Sequence, residues 1–176
     1  MIHKFYHCSL ITPMLIMLVS SLLFSGMSSA QSARPRTVVD YYLLLPNKYT
    51  YDVPRQHREE LINNNGRIFA KDIENGYLAI SGDGGDPGIT VALFKESGGE
   101  YLIGVRVFNE MTNDLYFLRY RRSKWSDVTR SVIPAFSKAN EYNLPRYGTT
   151  IEVKSKSGKK LYDLVWSDGR FVTKRK

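Results

Sequence analysis

Apolar and polar residues follow three different rhythms along this chain, and each predicts a different kind of structure. The first is an unbroken apolar run of 11 residues, Met14 to Phe24. A mildly basic start carrying Lys4 precedes it, and Ser25-Gly26-Met27-Ser28-Ser29-Ala30 follows. A basic start, a short apolar centre and small residues at Ser28 and Ala30 form the pattern of a secretory signal peptide, cleaved after Ala30. The run is short of the ~20 residues that span a bilayer as a helix. An uncleaved N-terminal anchor is the alternative. A lipoprotein anchor is not expected, because Cys8 lies ahead of the run and no Cys follows it. Residues 31–36 are polar and read as a flexible lead-in.

The second rhythm is helical. Val38, Tyr41, Tyr42 and Leu45 fall at i, i+3, i+4 and i+7, one stripe of a short helix. Thr37 stands ahead of it as an N-cap, with Asp40 at the capping-box position. Pro46-Asn47 ends it. A second helix is predicted from Asp52 as cap, through Pro54 in the first turn, to about Asn63, with Asn63-Asn64-Asn65-Gly66 as the stop. Its residues Arg55 to Glu60 are all polar, so it is expected on the surface.

The third rhythm is that of strands. Tyr77–Ser81, Ile89–Phe94, Tyr101–Phe108, Leu115–Tyr120, Ile151–Val153, Leu161–Trp166 and Phe171–Thr173 are short β-rich runs separated by turn signals such as Asn75-Gly76, Ser97-Gly98-Gly99 and Ser157-Gly158. Lys124–Val132 reads as one more strand, in a hairpin around Arg121–Ser123. Short connections favour antiparallel pairing. Ile89–Phe94 and Tyr101–Phe108 are apolar at both parities, which predicts central strands covered on two sides. Pro134–Pro145 is irregular and reads as a long loop or a short helix. Trp125-Ser126-Asp127 and Trp166-Ser167-Asp168 echo one another, but two units make no repeat, and both read as ordinary hairpin corners. The expected fold is α+β: one domain over 37–176, with one or two short N-terminal helices packed on a curved antiparallel meander of about seven or eight strands.

Composition narrows the chemistry. The chain has 176 residues, one Cys, three His and a formal charge of +8. Without residues 1–30 it keeps no Cys and one His, His57, and its charge is +7. Disulfides, a thiol nucleophile and a His- or Cys-rich metal site drop out of the mature chain. An export signal without a mature Cys fits a bacterial envelope or secreted protein, stabilised by its core alone.

The charge is uneven. Residues 31–118 hold 9 Lys+Arg against 12 Asp+Glu, and residues 119–176 hold 15 against 5. Arg119, Arg121, Arg122 and Lys124 form one cluster, and Lys154, Lys156, Lys159 and Lys160 another. Such asymmetry points to an anionic partner. Alternation places Arg119 and Arg121 opposite Tyr116, Leu118 and Tyr120. Trp125 beside Arg122 and Lys124, and Tyr147 beside Arg146, read as exposed aromatic–cation groups.

Gly82-Asp83-Gly84-Gly85-Asp86-Pro87-Gly88 is the most conspicuous loop. Asp83 and Asp86 invite a Ca²⁺ reading, but the spacing is not that of an EF-hand and no bidentate Glu stands in place. No Lys-Ser or Lys-Thr follows as in a P-loop, and two carboxylates repel phosphate. A wide turn is the simpler reading. His57 has no nucleophile context such as G-x-S-x-G and reads as a solvated surface His. Asp83, Asp86, Glu110 and Asp114 lie near strand ends, where they can serve as acid and base of a hydrolase if they converge.

No cofactor and no catalysis are expected. The favoured reading is an exported binding module, not integral to the membrane after cleavage. It recognises an anionic envelope component or a protein partner through a basic C-terminal sheet surface, and intracellular nucleic acid is excluded by export. The alternatives are an Asp/Glu-dependent hydrolase near the Gly82–Gly88 loop, and a carrier of a small apolar ligand between helix and sheet.

Overall fold

The computed structural model describes residues 35–64, 67–83 and 85–174. The expected leader and the start of the lead-in lie outside the described residues. Among the described residues no helix is long and apolar enough to cross a membrane.

Helix α1 spans Val38–Leu44 and begins as its sequence predicts. Thr37 Oγ1 accepts from the Asp40 N–H at 3.2 Å, and Asp40 Oδ2 accepts from the Thr37 N–H at 2.9 Å. Two of the helix's orphan donors are thereby satisfied. Val38, Tyr41, Tyr42 and Leu45 are all buried. A 3₁₀ turn, Asn47–Tyr49, leads to α2, Arg55–Asn64. The expectation that α2 is a plain surface helix is corrected at one position. Arg58 is only 1% exposed, while Leu61 and Ile62 on the same face pack against the core.

Ten strands follow: β1 Ile68–Asp72, β2 Tyr77–Ile80, β3 Gly88–Lys95, β4 Tyr101–Phe108, β5 Asn113–Arg121, β6 Lys124–Asp127, β7 Asn140–Asn143, β8 Thr150–Ser155, β9 Lys160–Ser167 and β10 Arg170–Lys174. They form two antiparallel sheets. Strands β1 to β6 lie in sequence order in the first, and β7 to β10 in the second. A single meander is therefore incorrect, though the class is α+β.

The reason is two-sided burial of the first sheet. One face carries Ile89, Val91, Ile103, Val105, Val107 and Leu118 and receives α1. The other carries Ala92, Phe94, Leu102, Leu115 and Phe117, more apolar surface than the short helices can also cover. The second sheet covers it with Tyr142, Ile151, Val153, Leu164 and Phe171.

Three segments differ from their sequence reading, the first being β1, Ile68–Asp72, where no strand is expected. The strand expected over Lys124–Val132 stops at Asp127, whose Oδ1 accepts from the Thr129 N–H (3.0 Å) and hydroxyl (2.6 Å). This side-chain capture turns the chain into α3, Thr129–Val132. The Trp-Ser-Asp corner there is thus a strand-to-helix turn, whereas the second one is the β9–β10 hairpin. Within Pro134–Pro145 lies β7, an edge strand whose Asn-Glu-Tyr-Asn sequence carries little β signal of its own.

Candidate functional site

The basic cluster of the β5–β6 hairpin is only partly free. Arg122 and Ser123 both have positive φ, 50° and 59°, as a two-residue hairpin matched to strand twist requires. Arg122 and Lys124 are exposed at this tip. Arg119 and Arg121 face the second sheet, as alternation predicts, and there they meet Glu96. Glu96 Oε1 accepts from Arg119 at 2.7 Å and Oε2 from Arg121 at 3.1 Å, with the Glu96 side chain 6% exposed. Arg121 also pairs with Glu100 at 2.6 Å. Arg119 and Arg121 are thus neutralised internally and serve to build the surface.

What they build is a rim. Arg119 donates to the Gly169 carbonyl at 3.3 Å, and Trp166 Nε1 donates to the Lys95 carbonyl at 3.0 Å. These bonds hold the β9–β10 turn against the end of β3. Lys95, Arg122, Lys124 and Arg170 therefore stand at one end of the molecule, each exposed and none with an acidic partner among the described residues.

The remaining predicted residues separate from this rim. Trp125 is corrected from exposed to half-buried. It pairs with Tyr120 across the hairpin on the α1 face, packs on Tyr41, and donates Nε1 to the Leu44 carbonyl at 3.1 Å. Tyr147 is 67% exposed with the Arg146 guanidinium 5.2 Å from its ring. Arg146 Nε binds Asp72 at 2.9 Å, which places this pair by β1, at the far edge of the first sheet. On the second sheet Lys154 and Lys160 are matched by Glu152 and Asp163 at 2.7–3.7 Å. That face carries interleaved charge, not a uniform basic field.

The glycine loop is latched. Asp83 Oδ1 accepts from the Gly85 and Asp86 N–H groups at 3.0 and 2.8 Å. Arg67 Nη1 reaches both Asp83 (2.9 Å) and Asp86 (2.8 Å). His57, from α2, lies with Nε2 2.8 Å from Asp86 and Nδ1 3.3 Å from Glu60. His57 stays at the surface, its side chain 40% exposed, and the pairing with two carboxylates is what the sequence reading lacked. The Asp86 carboxylate, then Glu60, push the His57 pKa up, while the Arg67 and His57 bonds hold Asp86 below the usual carboxylate range. When protonated, the His57 imidazole donates to both carboxylates and has no lone pair for a general base.

The linkage has a definite sign. The His57 contribution is fully present below about 6.5, its ordinary value, and is lost as pH rises through the raised folded value. The Asp86 contribution is present above about 3.8, its ordinary value, and is lost as pH falls through the lowered folded value. An NMR titration of His57 is expected to give a midpoint above 6.5, falling toward that value in Asp86→Asn. An unchanged midpoint in the variant would disprove the latch.

The four candidate carboxylates do not converge on one cleft. Asp86 and Glu110 line one of about 370 Å³ between the glycine loop and the β4–β5 turn. Glu110 and Asp114 line a second of about 510 Å³, and Asp114 a third of about 470 Å³ beside Tyr116 and Asp127. Asp83 turns to Arg67. The helix–sheet interface, proposed above as a carrier pocket, is filled by Val38, Tyr41, Tyr42 and Leu45.

Sequence reasoning missed Glu96, Arg67 and Arg58. Glu96 shares the parity of Ala92 and Phe94, a signal that needs knowledge of the second sheet. Arg58 stands three and four residues before Leu61 and Ile62, which marks it for the buried face of α2. No known protein family, curated protein or solved structure matches the chain.

Proposed function

We propose that this protein is a binding module of the cell envelope that docks on an anionic component through the rim of Lys95, Arg122, Lys124 and Arg170. It works by attraction and positioning, without chemistry of its own. The observation carrying this reading is that three separate turns deliver to one end four exposed cations that have no salt-bridge partner among the described residues, while Glu96 fixes Arg119 and Arg121 beside them. Such a rim focuses a positive field and attracts headgroup phosphates or acidic glycans. The leader read in residues 1–30 supports the location. The latched state of Asp83 and Asp86 is a further support, since neither has a proton to give as a general acid.

The test is co-sedimentation with vesicles containing phosphatidylglycerol, set against pure phosphatidylcholine. Each Lys or Arg near an anionic bilayer contributes about 1 kcal/mol. The double reversal Arg122→Glu/Lys124→Glu is therefore expected to weaken binding by at least about tenfold, and added salt to weaken the parent. Lys156→Glu/Lys159→Glu, at the opposite hairpin, is expected to change little. Equal losses from both double variants, or none from either, would remove the rim from this role.

A further inference from the structure

We propose that the cleft beside β5 is a second, separate binding site, which takes a short extended peptide carrying one basic side chain as an added strand. Hydrogen-bond phase along β5 leaves part of its edge open. Strand β6 pairs with β5 only at Leu118–Arg121. Beyond that, the Val128 N–H donates to the Phe117 carbonyl and the Phe117 N–H donates to Thr129 Oγ1, both at 2.8 Å. The chain then departs into α3. In a strand, alternate residues direct N–H and C=O to the same side. Leu115 and Asn113 share the phase of Phe117, so their backbone groups face away from β4. They have no hydrogen-bond partner among the described residues. Both residues line the cleft of about 470 Å³, a size within the range of ligand sites.

An open strand edge inside a cleft selects its occupant. The donors and acceptors of Asn113 and Leu115 repeat every second residue, which an extended peptide matches by strand addition. The side chains of such a peptide alternate between two walls. On the second-sheet side stands an aromatic wall, Phe136 stacked on Tyr142 at 5.5 Å, with the Tyr142 hydroxyl bonded to both backbone groups of Ser137. This wall suits an apolar side chain.

The α1 side carries Tyr116 between the carboxylates of Asp114 and Asp127, since all three share one parity with Leu118. Asp127 Oδ1 is occupied by Thr129, and Asp114 has only Lys138 at 3.9 Å. Two carboxylates around a tyrosine ring suit a Lys or Arg side chain. Arg130 and Lys138 also line the cleft and restrict the ligand to one cation.

The experiment titrates the ¹⁵N-labelled protein with acetyl-Thr-Val-Lys-Val-Thr-amide. Expected shifts centre on the amides of Asn113, Leu115 and Thr129. Two N-methylated isomers of the peptide, methylated at alternate residues in opposite phases, distinguish strand addition from loose contact. One should bind about tenfold or more weakly, through loss of two hydrogen bonds, and the other within about twofold of the parent. Replacing the peptide Lys with Glu should weaken binding, and Asp114→Lys should reverse that preference. No shift at Leu115 up to roughly 5 mM peptide, or equal binding by the parent and both methylated isomers, would overturn the proposal.

Discussion

Replacing Arg58 with Met is expected to lower the unfolding free energy by about 3–5 kcal/mol, the largest loss for any single residue outside the apolar core. The Arg58 guanidinium is buried without a carboxylate. Nη1 donates to Asn47 Oδ1, Thr50 Oγ1 and the Val53 carbonyl at 3.1, 2.9 and 2.7 Å. Nη2 donates to the Leu43 and Leu45 carbonyls at 3.2 and 2.7 Å. The last two belong to the end of α1, where helical carbonyls have no partner of their own and the helix dipole favours a cation.

One side chain thus closes α1, the 3₁₀ turn and the start of α2 around a single point. Removing it strands several buried acceptors, each costing about 1–3 kcal/mol if water cannot reach it. Lys is not expected to rescue, because one ammonium cannot span two groups of acceptors that a planar fork reaches together. Arg55→Met on the exposed face, which breaks only a surface pair with Glu59 at 2.8 Å, should change stability by less than about 0.5 kcal/mol. Urea unfolding of the three variants checks this. A loss below about 1 kcal/mol for Arg58→Met would mean that water replaces the guanidinium.

Phe171→Ala is expected to cost a similar amount, about 3–5 kcal/mol, by a different mechanism. Phe171 is 2% exposed and meets Phe94, Phe117 and Trp166 with ring centroids 5.2, 5.0 and 5.0 Å away. Two of those rings belong to the first sheet and one to the second. The substitution therefore opens a cavity at the junction of the sheets, not within either. Hydrogen exchange should show it: β7–β10 amides lose protection more than those of β3 and β4, whose other face stays packed on α1. Uniform loss across both sheets would show that they unfold as one unit.

Much of the fold was legible where local chemistry decides it. The Thr37–Asp40 box, the Val38–Tyr41–Tyr42–Leu45 stripe, and the double-sided burial of β3 and β4 all follow from residue spacing. The site was less legible. Arg119 and Arg121 lie on the predicted face, but nothing near them in sequence announces Glu96, more than twenty positions away. Trp125 looked exposed because of its charged neighbours Arg122 and Lys124. The turn proves to be the two residues Arg122–Ser123, not Arg121–Ser123, and that register is what sets Trp125 across from Tyr120. The pairing of His57 was not legible because its partner Asp86 sits on a different element.

The sequence by itself determined the Thr37-capped helix and its buried stripe, eight of the strand regions with the two faces of the central ones, and the concentration of positive charge after Leu118. These depend on periods of two and 3.6 residues and on turn chemistry, which are local. Only the tertiary structure decided that ten strands divide into two sheets, and that some cations are matched while others stay free. It also decided that a strand edge is left open beside Tyr116. Those outcomes depend on contacts between residues far apart in the chain. Their geometry is fixed by packing two apolar faces at once, and no local pattern encodes it.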